Sequence, residues 1–296
     1  MVTVGSILSG TFRFMGDNVR SILIWSGLLT LVTLLSMMAM RPFYAQRLAE
    51  AQPGAPNFGM FGLAMILFLI FFVAQFAAVF RAVLFPQESR FAYLRLGMDE
   101  LRLFGTMLVL GLGGGIAFGI CFAVLAVIAG LLSVIFGQAG SAVVVVNLLG
   151  FVLMLVLFGA FILCWVRLSL AAPMTILQHK VVIGPAWRAT RGVFWRLFGA
   201  YLVAFLLIAI VYAVMATVQM GPILGDMFRP TDPAAHQRVL AWQAANYGMS
   251  LRTVVFAALG GLLYGVGNAF QGGVLAVATV QLLDLRGGQH LSEVFE

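Results

Sequence analysis

The sequence predicts an all-α, polytopic integral membrane protein: six transmembrane helices, with amphipathic cytoplasmic interfacial helices before spans one, three and five. Three observations carry this. Hydrophobic residues fill 62% of the 296 positions and charged residues only 9%, with a mean hydropathy of +1.07, whereas a soluble domain carries about 25% charged residues. Apolar runs recur that reach the roughly 20 residues a helix needs to cross about 30 Å of hydrocarbon. The alternation over roughly ten residues that marks a membrane barrel strand is absent.

Taken in order, the opening VGSILSGTFRFMGDN sets Val4, Ile7, Leu8, Phe12 and Met15 on one helix face against Ser6, Ser9, Arg13 and Asp17. Span one follows at residues 21–40. Arg13 and Asp17 interrupt the approach and no small-residue cleavage site follows, so a retained span is expected rather than a signal peptide. A loop with a PGAP turn leads to span two, 60–84, where Arg81 is placed to reach headgroups along its long stem. The segment ESRFAYLRLGMDELRLF sets Phe91, Leu94, Met98 and Leu101 against Arg95, Asp99 and Arg102, ahead of span three, 104–136. Residues 137–141 are so few that spans three and four (142–166) must form an antiparallel hairpin, closed by Arg167. The next segment, GPAWRATRGVFWRLF, has a proline suited to a first helical turn and precedes span five, 197–220. In the connection 221–253, Asp232 can cap a short helix, Pro233 fits its first position and Gly248 the residue past its end. Span six covers 254–283.

Lys and Arg outside the spans number twelve on the side of the N-terminus and five on the other, so both termini are expected in the cytoplasm. The tetrapeptide RLFG occurs at Arg102 and again at Arg196, each time at the entrance to an odd-numbered span. Within a single transmembrane domain covering 1–296, this fits three hairpin modules, 1–86, 87–182 and 183–296. Two inverted halves are the competing symmetry, because spans three and six are both long and glycine-rich. Gly111, Gly115 and Gly119 recur every fourth residue, as do Gly261 and Gly265, a spacing that lets a neighbouring backbone approach closely.

The spans hold no Asp, Glu, Lys or His, the groups that ion-coupled transport relies on. Amides stand at Gln75, Asn147, Asn268 and Gln271; Asn268 and Gln271, with Tyr264, are the candidates for a polar cavity and so for a transporter site between spans three and six. His179, His236 and His290 sit on separate segments with no metal-binding spacing, and no nucleophile motif or phosphate loop is visible. No catalysis, cofactor, metal or nucleic acid is therefore expected. The cationic residues Lys180, Arg188, Arg191, Arg196, Arg95 and Arg102 point instead to contact with anionic lipid headgroups. Membrane lipids are the expected partners, with an unidentified protein as the other.

Residues 167–203, RLSLAAPMTILQHKVVIGPAWRATRGVFWRLFGAYLV, resemble the bacterial membrane-domain family of glycerophosphoryl diester phosphodiesterases. The resemblance rests on Arg167 with Pro173, Gly184-Pro185, the Ala-Trp-Arg run, and Gly192 with Phe194-Trp195-Arg196; the opening VGSILSGTFRFMGDN is similar too. It implies a bacterial inner-membrane location. Some members of that family also carry a soluble phosphodiesterase barrel, which needs about 250 residues. Only about a dozen residues follow span six here, so a stand-alone, non-enzymatic member is expected.

Overall fold

The structure, a computed structural model, describes residues 2–49, 58–136, 141–229, 231–247 and 250–286. The PGAP turn, residues 137–140, Gly248 and the segment with His290 lie outside the described residues. Among those described are ten helices and no strand: α1 (Val4–Asp17), α2 (Val19–Ala49), α3 (Phe58–Leu84), α4 (Met98–Phe136), α5 (Ser141–Leu168), α6 (Ala171–Gln178), α7 (Gly184–Ala189), α8 (Phe194–Met227), α9 (Pro233–Tyr247) and α10 (Leu251–Arg286). Six of them, α2, α3, α4, α5, α8 and α10, are long and apolar enough to cross a membrane. Each coincides with one of the six apolar runs. The chain divides into two compact units, one built on Gly97–Phe198 and the other on Thr3–Leu96 with Gly199–Val277.

In the second unit, α1 starts at a reciprocal cap: Thr3 Oγ1 accepts from the Ser6 amide at 3.1 Å and Ser6 Oγ from the Thr3 amide at 3.0 Å. Two N–H groups with no partner inside the helix are thereby satisfied. The buried stripe of α1 is Ile7, Thr11 and Phe14. Phe12, expected on the apolar side, is exposed. Phe14 and Thr11 pack against Gly273 of α10, where a Cβ would lie 3.0 Å and 3.1 Å from their side chains. Phe14, Ile22, Trp25, Ala78, Val79, Ala82, Tyr93 and Ala269 form one core cluster.

The closest approach in this unit joins α2 to α10. A Cβ on Gly261 would stand 2.7 Å from Thr30 Cα, and one on Gly265 would stand 2.5 Å from Ser26 Cα. The pairing runs antiparallel, with small residues four apart on both helices. In lipid no hydrophobic force separates helix–helix from helix–lipid contact, so such backbone proximity is what draws spans together.

Between α3 and α4 the sequence predicts a continuous amphipathic helix through Phe91, Leu94 and Met98. The structure instead makes a tight turn at Arg90–Tyr93 in which Phe91, Ala92 and Tyr93 take φ of 50°, 53° and 61°. Non-glycine residues in this left-handed region each cost about 1 kcal/mol or more. The turn persists because buried donors hold its carbonyls: Trp25 Nε1 donates to Ala92 at 2.8 Å and Arg81 Nη1 to Tyr93 at 3.1 Å. Arg81 is buried and does not snorkel as expected; its guanidinium is drawn inward by this carbonyl.

The connection after α8 follows its sequence signals. Asp232 Oδ1 caps α9 by accepting from the Ala234 amide at 2.9 Å. Arg238 of α9 grips Asp226 with two bonds, of 2.8 Å and 2.7 Å, and α9 packs against α2.

In the first unit, α4 and α5 form the expected antiparallel hairpin, with Phe118 edge-on to Phe161 at 5.5 Å. Farther along, Thr106 Oγ1 of α4 meets Thr175 Oγ1 of α6 at 3.1 Å. Most of the hairpin is left uncovered, including Leu112, Ile116, Ile120, Leu148 and Leu155. The glycines expected to pack it do not: a Cβ on Gly111, Gly115 or Gly119 would meet nothing within 4 Å.

Candidate functional site

Three of the six cationic candidates, Lys180, Arg188 and Arg191, are positioned by the short elements between α5 and α8, all in the first unit. Pro173 is tolerated in α6 because a first-turn residue needs no helical N–H partner. The helix stops at His179, which takes the left-handed conformation with φ of 51°, a common way to end a helix. Helix α7 is a brief Gly184–Ala189 element with Pro185 in its first turn. Thr190 closes it: its hydroxyl lies 3.1 Å from the Arg167 carbonyl and 3.2 Å from that of Ala186. Gly192 then turns the chain at φ 81°, open to glycine at no steric cost, and α8 begins. The amphipathic helix predicted through 184–198 is thus two helices separated by a turn.

This arrangement leaves Lys180, Arg188 and Arg191 exposed, their side chains making no hydrogen bond or ion pair among the described residues. Trp195, 76% exposed, and Val181 lie on the same stretch. Arg196 is also exposed, and its Nη1 donates to the Val2 carbonyl at 3.3 Å. Arg102 is committed elsewhere: its Nη1 reaches Asp99 Oδ1 at 3.1 Å, the same oxygen that His179 Nδ1 meets at 3.0 Å. Asp99 therefore draws the entrance of α4 to the end of α6. Arg95 belongs to the second unit and pairs with Glu88 at 2.8 Å, both partners half-exposed. Such a pair contributes at most about 1 kcal/mol.

The guanidinium of Arg167 lies over the Trp187 ring, 5.3 Å from the centroid. A cation on an indole face is attracted by the ring quadrupole. Periodicity could not reveal this contact, because it depends on the break that sends α7 back past the end of α5. The Asp99–His179 contact is likewise invisible in sequence, the two residues being 80 positions apart.

The proposed polar cavity resolves differently. Gln75 of α3 is fully buried and donates from Nε2 to the Gly265 carbonyl at 2.8 Å. Asn268 donates from Nδ2 to Gln75 Oε1 at 3.4 Å, while the Tyr264 ring lies tilted against that of Phe68, 5.9 Å between centroids. Gln271 is exposed and takes no place in this cluster. Three residues of separation offset it from Asn268 by about 60° around the helix, enough to place it outside the packed groove that buries Asn268. The amide pairing of span six is therefore with span two. The sequence signal was Gln75 itself, an amide in an otherwise apolar run.

No family model, curated protein or solved structure matches the chain. Geometry alone is left to speak for function. Among the described residues no group of three or more His, Cys, Asp or Glu converges.

Proposed function

We propose that this multi-pass membrane protein is non-enzymatic and either binds anionic lipid headgroups through the cationic segment 180–196, the reading favoured here, or holds a partner protein at the membrane. One observation carries the reading: Lys180, Arg188 and Arg191 stand exposed with no partner of opposite charge among the described residues, on a stretch that also exposes Trp195 and connects two membrane-crossing helices. Unpaired guanidinium groups bind phosphate in forked, charge-assisted geometry, and an amphipathic ring beside them suits the headgroup level. The twelve-to-five distribution of Lys and Arg supports cytoplasmic termini. Residues 167–203 support kinship with the phosphodiesterase membrane domains and, with it, a bacterial inner-membrane location.

A solute path beside Asn268 draws no such support. Helix α10 runs unbroken through its glycines, and Gly261, Gly265, Gly272 and Gly273 are closed by neighbouring side chains.

The test is lipid retention in native mass spectrometry. Each basic residue near an anionic surface contributes about 1 kcal/mol, so Arg188→Gln with Arg191→Gln should weaken phosphatidylglycerol retention about thirtyfold at low salt. Phosphatidylcholine should be unaffected. Equal retention of phosphatidylglycerol by variant and parent would remove the reading.

A further inference from the structure

The turn between α3 and α4 is built from both sides. Tyr93 points inward: its side chain is buried, and its hydroxyl donates to the Pro86 carbonyl at 3.2 Å. The Trp25 and Arg81 donors hold the neighbouring carbonyls. Phe91 points outward, 86% exposed, and Leu96 is 77% exposed. Arg90 and Arg95 flank them, both exposed. A left-handed backbone without glycine persists only where its surroundings over-determine it, and such sites are commonly functional. Here what the turn achieves is to hold a phenyl ring away from the core.

We propose that residues 90–96 form a preformed membrane-interface anchor. Phe91 and Leu96 enter the boundary between acyl chains and headgroups of a bilayer containing anionic phospholipid, and Arg90 and Arg95 lie at its phosphates. Three facts select lipid as the occupant. The turn joins two helices, α3 and α4, that are each long and apolar enough to cross a membrane. Both flanking side chains are cationic, matching the negative charge of such a surface; Arg95 also meets the half-exposed Glu88 at 2.8 Å, a pair weak enough in water for a phosphate to compete with it. Aromatic and aliphatic side chains beside arginine are the composition that settles at this depth. The inference does not depend on the segment 180–196, which lies in the other unit.

The test uses the full chain carrying Cys121→Ser and Cys164→Ser, since both native thiols are exposed, with Phe91→Cys bearing an environment-sensitive fluorophore. Gln87→Cys, at an exposed polar position of the same connection, is the control. The protein is reconstituted in vesicles of phosphatidylcholine and phosphatidylglycerol at about 3:1. Quenching by a shallow nitroxide lipid relative to aqueous iodide should be about threefold greater at position 91 than at 87. Equal ratios at the two positions would overturn the proposal, as would protection of position 91 from both quenchers, which would mean that protein covers it. Trp25→Phe keeps the aromatic core and deletes only the N–H that holds Ala92. It should lower the ratio at 91 about twofold; an unchanged ratio would refute the pinning of the turn.

Discussion

Gly265→Ala is the sharpest test of how the second unit is held together. The added methyl group would stand 2.5 Å from Ser26 Cα, about 1 Å short of ordinary carbon–carbon contact. The obstacle is backbone, so no rotamer change relieves it. Helices α2 and α10 must part, and overpacking of this kind costs about 1–3 kcal/mol. Parting also strains the 2.8 Å bond from Gln75 to the Gly265 carbonyl, and interhelical bonds of this type contribute about 0.6 kcal/mol. The loss should be about 2 kcal/mol, which at roughly 2–4 °C per kcal/mol lowers the midpoint of thermal unfolding by about 4–8 °C. Thermal unfolding in lipid nanodiscs measures this directly. Gly115→Ala supplies the contrast, because its methyl group meets nothing within 4 Å. Alanine's helix propensity exceeds glycine's by about 0.8–1.0 kcal/mol, so that variant should hold or raise the midpoint. An unchanged midpoint for Gly265→Ala would refute the close-packing argument. A drop of similar size for Gly115→Ala would show that the α4 face is occupied.

Two further predictions follow from single bonds. Gln75→Leu should lower stability by about 1 kcal/mol, and a double-mutant cycle with Asn268→Leu should give a coupling of about 0.6 kcal/mol; zero coupling would show that the 3.4 Å contact carries nothing. Asp232→Ala removes the cap of α9 at a cost of about 1 kcal/mol, and faster amide hydrogen exchange at Ala234, without change in α10, is the expected readout.

What could be read from sequence followed the reach of the underlying physics. The six crossing helices were legible because hydrocarbon imposes length and apolarity on every one of them. Helix α9 was legible because Asp232-Pro233 is a local start signal that needs no tertiary partner. The turn at Phe91 was not. Its left-handed residues carry no glycine, and their stabilising donors come from Trp25 and Arg81, 67 and 12 positions away from the carbonyls they hold. Gly192 did mark the corresponding break before α8, yet the helical spacing of its neighbours outweighed it. Glycine spacing could not tell a filled groove from an open one: Gly261 and Gly265 face Thr30 and Ser26, while Gly111, Gly115 and Gly119 have the same four-residue interval and face nothing. Of the cationic candidates, Lys180, Arg188 and Arg191 have side chains unengaged by any other described residue; which arginines find a carboxylate or a carbonyl is decided by chain reversals that composition does not encode.

The bond from Gln75 to Gly265 spans 190 positions, and the earliest crossing helix meets the last at Ser26 and Thr30. A ribosome adding about 5–20 residues per second needs roughly 10–40 s to travel from one partner to the other. For that interval a buried amide and two hydroxyl-bearing positions wait in the bilayer with their eventual neighbour still untranslated. Insertion order and assembly order are therefore uncoupled in this chain, and the nascent half is the form that quality-control proteases and insertion chaperones would meet first.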